Sequence, residues 1–130
     1  MAALAALGLV FLNLKAVWAS KAMATPRKGG FCMVSDLRAI NQQVEKVPVV
    51  MSNQEATIAK LSEARFYGTL DLLQGYWQCR LAPDAEELFT IVTPGGLYTP
   101  TRVPQTFLNP TSYIQATLTR VLEGLICMVW

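Results

Sequence analysis

The chain has 130 residues, is slightly over half hydrophobic (52%) with 15% charged residues, and carries a net charge of +2. This length supports one domain with a core, the composition argues against disorder, and so small a net charge does not by itself point to a nucleic-acid partner. There is no histidine, which excludes Ser-His-Asp and Cys-His nucleophilic chemistry and His-ligated zinc. Cys32, Cys79 and Cys127 are odd in number and widely spaced, so they indicate neither a disulfide framework nor a zinc site and read as buried, reduced thiols.

In chain order, Leu4, Leu7, Val10, Phe11 and Leu14 recur at helical spacing and predict a packed amphipathic helix over residues 1–14. The run is too short for a membrane span, and no basic residue precedes it, which argues against a secretory leader. A small secreted protein cleaved after Ala19 is kept as an alternative. Lys15, Lys21, Arg27 and Lys28 follow without an intervening acid, a basic lead-in suited either to phosphate or to solvent. Residues 25–30 predict a basic turn and residues 31–34 a strand; residues 36–41 read as a turn or short helix. Residues 44–51, with Pro48 inside, predict an extended connector.

Ser52 and Glu55 form a capping-box signature for a helix through Leu61, with Ile58 and Leu61 facing the core. Residues 66–78 read Phe-Tyr-Gly-Thr-Leu-Asp-Leu-Leu-Gln-Gly-Tyr-Trp-Gln, an apolar strand pattern ending at Asp71 and then a turn at Gln74-Gly75. A carboxylate in such a strand is costly unless paired, and a divalent ion is one such partner; a strand-end Asp capping a turn or facing solvent is the alternative. Asp84, Glu86 and Glu87 beside Pro83 read as a solvent-facing turn. Residues 89–92 and 97–99 flank Pro94-Gly95-Gly96 as a hairpin. Pro110 opens a second long helix with Tyr113, Ile114, Thr117, Leu118, Val121 and Leu122 on its inner face and Gly124 as its stop. Residues 125–130 form an apolar strand candidate, and a chain ending inside one is expected to be part of something longer.

Leu70-Asp71-Leu72 followed by Gly75-Tyr76 resembles the first catalytic motif of the reverse transcriptases of long-terminal-repeat retrotransposons. Phe31-Cys32-Met33-Val34-Ser35-Asp36-Leu37-Arg38-Ala39-Ile40-Asn41 is similar to their Phe-Cys-x-Val-x-Asp-x-Arg-x-Leu-Asn element. Trp18-Ala19-Ser20 with Pro26-Arg27-Lys28-Gly29-Gly30 resembles their fingers lead-in. Val103-Pro104-Gln105 with Asn109-Pro110-Thr111-Ser112-Tyr113-Ile114-Gln115 resembles their Pro-Gln-Gly or Pro-Phe-Gly element and its continuation. The likeness runs from about Trp18 to Trp130 and is to the Ty3/Gypsy type.

The resemblance implies an α+β fold, a partial polymerase with antiparallel palm strands packed on helices: about residues 1–65 a fingers-like lead-in and connector, about residues 66–130 palm-like. It implies an RNA-directed DNA polymerase, a nucleotidyltransferase adding deoxynucleotides to a primer by two-metal phosphoryl transfer with Mg2+ or Mn2+. Asp71 and the backbone carbonyl of Leu72 would be metal ligands, and Arg38 and Lys28 would meet the triphosphate. Tyr76 would exclude a 2′-hydroxyl, and Gln105 would lie near nucleotide and template. An ion pair of Arg38 with Asp36 or Glu45 and an ordinary core role for Tyr76 are the alternatives. Thr106 stands where a glycine is usual, and would be strained if that position needs positive φ.

The paired aspartates expected after residue 130 are not in this sequence, so polymerase activity is not expected of these residues alone. The partners implied are an RNA or DNA template-primer, deoxynucleotides, and the rest of the palm, thumb and ribonuclease H regions of a polyprotein. The implied setting is intracellular, in cytoplasm or a virus-like particle, without a membrane. The rival readings are a non-catalytic, domesticated fragment that binds nucleic acid or protein, and a palm left unstable beside an unpartnered edge.

Overall fold

Gly8 decides the course of the first segment. Helix α1 (Ala2–Ala6) is followed by Gly8 at φ 66°; its N–H bonds the Ala5 carbonyl at 2.9 Å and the Leu9 N–H bonds the Leu4 carbonyl at 3.0 Å. These paired bonds are a Schellman ending, which a glycine in the left-handed region permits without strain. The chain then turns into strand β1 (Val10–Leu12). The helix expected over residues 1–14 is thus cut to five residues, and of its apolar stripe Val10 is buried while Leu7, Phe11 and Leu14 are exposed. The computed structural model describes residues 1–48, 54–62, 65, 66 and 68–123.

Strands β2 (Ser20–Arg27) and β3 (Gly30–Ser35) form an antiparallel hairpin in register from Ala22↔Ser35 to Arg27↔Gly30. The expected basic turn is there, narrowed to Lys28-Gly29, with Gly29 at φ 92°. Strands β4 (Ile91–Thr93) and β5 (Gly96–Pro100) form the second expected hairpin. The sheet order is β1-β5-β4-β2-β3. β2 joins β4 in parallel through Ser20↔Ile91 and Lys21↔Val92, so the sheet is mixed where an antiparallel one was expected. Strands that meet without a hairpin between them are free to run in the same direction. The α+β class holds, and the sheet takes strands from both sides of residue 65.

The helices are short. After α2 (Arg38–Asn41), residues 42–48 run to the connector, whose described part has no regular structure from residue 45 on; residues 49–51 lie outside the described residues. α3 (Gln54–Ser62) matches the expected helix, but Ile58 and Leu61 are exposed and face no core. Two large apolar residues in nine make too narrow a stripe to bury. Ser52 of the expected capping box lies outside the described residues.

Residues 68–72 are not a strand, and Phe66 and Leu70 are 93% and 97% exposed. A strand exists by pairing, and no described strand flanks this segment. The turn signal holds: Gln74, at φ 49°, precedes α4 (Gly75–Gln78). The acidic stretch forms α5 (Pro83–Glu86) and a 3-10 turn, Glu87–Phe89, with Glu86 half-buried rather than facing solvent as expected. α6 (Pro110–Val121) opens at proline as expected. Ile114, Thr117, Leu118 and Leu122 are half-buried, whereas Tyr113 and Val121 are exposed, which corrects the inner face. Gly124 and residues 125–130 lie outside the described residues.

The buried apolar residues described are Val10, Leu37, Phe89, Ile91 and Val103. Phe89 meets Phe107 edge to face, 5.0 Å between centroids and 82° between planes, an arrangement the ring quadrupoles favour. Cys32 and Cys79 are free thiols, half-buried rather than fully buried; burial pushes the Cys79 thiol up. Cys127 lies outside the described residues.

Candidate nucleotide and metal site

Arg38 opens α2, and its guanidinium is already engaged. Nε donates to Asp36 Oδ1 at 2.8 Å and Nη2 to Asp36 Oδ2 at 2.7 Å, while the Arg38 backbone N–H also reaches Oδ1 at 3.3 Å. The fork-to-carboxylate fit holds the Asp36 carboxyl at about 2, down from an ordinary 3.8, first through the side-chain bonds and then through the backbone N–H. The same bonds raise the Arg38 guanidinium. The pair is open to solvent, with the Arg38 side chain 85% exposed.

Gln105 is exposed in the turn between β5 and α6, and its neighbour Thr106 ties that turn to the Arg38 segment. Thr106 Oγ1 donates to the Ser35 carbonyl at 2.9 Å, and Asn41 Nδ2 donates to the Thr106 carbonyl at 3.0 Å. Thr106 does not have positive φ, so the strain a β-branched residue would have suffered there does not arise. The hydroxyl that a glycine would lack makes one of the two bonds.

Tyr76, in α4, is half-buried, and its hydroxyl lies 3.3 Å from Thr111 Oγ1 in the first turn of α6. A Cβ at Gly75 would make only ordinary contacts, 3.4 Å from Leu72 Cβ and 3.9 Å from Ile114 Cδ1, so this approach does not depend on the glycine. Asp71 and Leu72 sit just before, in an exposed stretch without regular structure. Lys28 stands at the tip of the β2–β3 hairpin, and the strand rise puts about 17 Å between Gly30 and Ser35. The structure therefore joins the segments of Arg38 and Gln105 by hydrogen bonds, and joins Tyr76 to α6. It brings neither Lys28 nor Asp71 into a bond with them among the described residues.

One set of residues carries more of this arrangement than the sequence reading assigned to it. Asn109 Nδ2 donates to the Glu45 carbonyl at 2.8 Å, its Oδ1 accepts from the Val47 N–H at 3.1 Å, and Ser112 Oγ donates to the Val47 carbonyl at 3.0 Å. The connector is thereby pinned to the start of α6. An Asn before a Pro-initiated helix reads as a cap in sequence, yet this side chain makes no cap bond.

No three His, Cys, Asp or Glu side chains among the described residues are grouped to hold a metal ion. Asp71 alone, with a carbonyl such as that of Leu72, does not fit a pair of divalent ions, each of which takes several oxygen ligands.

No protein-family model matches the chain. It is 34% identical over 101 residues to the retrovirus-related Pol polyprotein from transposon gypsy of Drosophila melanogaster, a match covering 75% of this chain and 10% of that protein. It is 32% identical over 108 residues to the Gag-Pol polyprotein of avian reticuloendotheliosis virus, covering 75% and 9%. Among solved structures, the prototype foamy virus protease-reverse transcriptase matches with a TM-score of 0.77 over 92% of this chain and 16% of that one, at 24% identity. The foamy viral protease-reverse transcriptase in complex with an RNA/DNA hybrid matches with a TM-score of 0.74 over 95% and 16%, at 21% identity.

The fold is α+β with a five-stranded mixed sheet, and it matches part of the foamy virus protease-reverse transcriptase. In sequence the chain is homologous to a region of retrovirus and retrotransposon Pol polyproteins, and it spans about a tenth of the length of those relatives. No helix among the described residues is long and apolar enough to cross a membrane.

Proposed function

We propose that the chain is the fingers and part of the palm of an RNA-directed DNA polymerase of the Ty3/Gypsy type, and that it works only as part of a longer polypeptide. The observation that carries this reading is the joining of the Arg38 and Gln105 segments through Thr106 and Asn41, because it brings together two motifs that lie far apart in sequence. Arg38, oriented by Asp36, would meet the triphosphate of an incoming deoxynucleotide, with Lys28 on the hairpin tip as a second cation. Tyr76, held by Thr111, would close the space beside the sugar, and Gln105 would line the template side. Asp71 and the Leu72 carbonyl would contribute oxygen ligands to a site for Mg2+ or Mn2+, completed by carboxylates beyond these 130 residues. Ions held there would supply Lewis-acid stabilisation of the charge that develops in phosphoryl transfer.

The reading is tested by titrating Mn2+ into a polypeptide that joins this chain to the remaining polymerase region. Asp71→Asn is expected to remove or sharply weaken at least one ion's binding; unchanged affinity and stoichiometry would sink the role given to Asp71. A non-catalytic nucleic-acid binder is the second reading, favoured by the exposed Lys28 and Arg27 on the hairpin. It requires salt-sensitive binding of an RNA/DNA hybrid by the 130-residue chain that is unaffected by Asp71→Asn.

A further inference from the structure

Residues 80 and 102 lie directly opposite one another in an isolated antiparallel bridge, and both are arginines. Directly opposed residues of an antiparallel pair project to the same face, where like charges destabilise unless an anion lies between them. Among the described residues neither guanidinium has an ion pair or hydrogen bond, and Arg102 Nε is buried without a partner. The backbone bonds on either side, from the Leu81 N–H to the Thr101 carbonyl and from the Val103 N–H to the Cys79 carbonyl, both at 3.1 Å, hold the pair in register.

Arg80 also lines a cleft of about 490 Å³. Its other walls include Leu81, Val103, Phe107, Pro110, Tyr113 and, from the connector, Val47. Of the cleft's other polar side chains, Asn109 and Ser112 bond to the connector, and Tyr113 is a phenol without charge. Arg80 is thus the charged side chain the cleft offers a ligand among the described residues. A volume of this size suits a small molecule, and an apolar lining with one cationic handle suits an apolar body bearing one anionic group. A nucleic-acid strand would instead call for a row of cations along an open groove.

We propose that this cleft binds a small amphiphilic anion, with its apolar body against Leu81, Val103 and Phe107 and its phosphate or carboxylate on Arg80. None of the residues proposed to act in the polymerase lines the cleft, and the proposal does not depend on that reading. Because Val47 forms one wall, an occupant also braces the connector against α6.

The test uses the 130-residue chain, with 4-phenylbutyl phosphate and the neutral 4-phenylbutanol as probes, followed by methyl and amide NMR. The phosphate is expected to shift the resonances of Leu81, Val103 and Ala116. Arg80→Gln should weaken its binding by roughly tenfold or more, as loss of a charge-assisted bond requires, and leave the alcohol unchanged. Arg80→Lys, which keeps the charge, should retain most of the affinity, and Ala116→Trp, which fills the cleft, should block both probes. No shift in the cleft, or equal phosphate binding by the wild type and Arg80→Gln, would overturn the proposal. So would a short oligodeoxynucleotide that displaces the phosphate probe with higher affinity, which would assign the face to nucleic acid.

Discussion

Asp36 holds the guanidinium of Arg38, two residues ahead, with contacts of 2.8 and 2.7 Å on its two carboxylate oxygens. The spacing Asp-x-Arg at the mouth of a short helix therefore carries a meaning of its own. The acid orients the cation, and any phosphate that Arg38 meets must share it with Asp36. The exposed pair contributes little to stability, as solvent screens it, but its titration is diagnostic. A carboxyl held below its unfolded value stabilises the fold above that value and loses this contribution as pH falls through the folded one. For Asp36 the window runs from about 3.8 down to about 2. NMR titration of the Asp36 carboxyl should give a midpoint near the lower value, and Arg38→Gln should return it towards the upper. A midpoint that does not respond to Arg38→Gln would show that the pair is not formed in solution.

The hydroxyls of Thr90 and Thr99, both 0% exposed, lie 2.7 Å apart. Thr90 gives its one proton to the Glu87 carbonyl at 2.7 Å, so Thr99 must be the donor between them, and Thr99 in turn accepts from Asn13 Nδ2 at 3.1 Å. The relay ties the end of β1 to the turn before β4. Thr99→Val should cost about 1–3 kcal/mol by leaving buried groups unpaired. The double variant Thr90→Val/Thr99→Val should cost less than the sum of the singles, because the two share one interaction. Urea denaturation midpoints decide this, and strict additivity would contradict the relay.

Much of the fold was legible because its signals are local. Pro94-Gly95-Gly96 between β-rich runs fixes the β4–β5 hairpin, and Pro110 starts α6 where a missing N–H costs nothing. Gly8 was legible too, but the helical spacing from Leu4 to Leu14 masked it; one left-handed residue outweighs a periodicity read across it. The parallel contact of β2 with β4 was not legible, since no local signal records which distant strands pair. The strand expected through Asp71 failed for the same reason: its apolar pattern shows that a segment suits a sheet, not that a neighbour is there. At the candidate site, the motifs named Arg38, Tyr76 and Gln105. The bonds that position them run through Asp36, Thr111, Thr106 and Asn41, and appear only in three dimensions.

Asn109 binds the connector through both ends of its amide, to the Glu45 carbonyl and the Val47 N–H. Asn109→Ala removes both bonds and should destabilise the chain by about 1–2 kcal/mol, in keeping with the net worth of two ordinary hydrogen bonds. Hydrogen exchange at the Val47 amide should quicken, while the amides of the β4–β5 hairpin keep their protection relative to global unfolding. An unchanged Val47 rate would mean that Asn109 does not pin the connector.

The proposed function makes these residues the front of a polymerase with Asp71 at its reacting end. Primer extension on an RNA template, by a polypeptide joining this chain to the remaining polymerase region, tests it most directly. Extension is expected with Asp71, none above background with Asp71→Asn, and template binding is retained in both. Extension that persists in Asp71→Asn would contradict it.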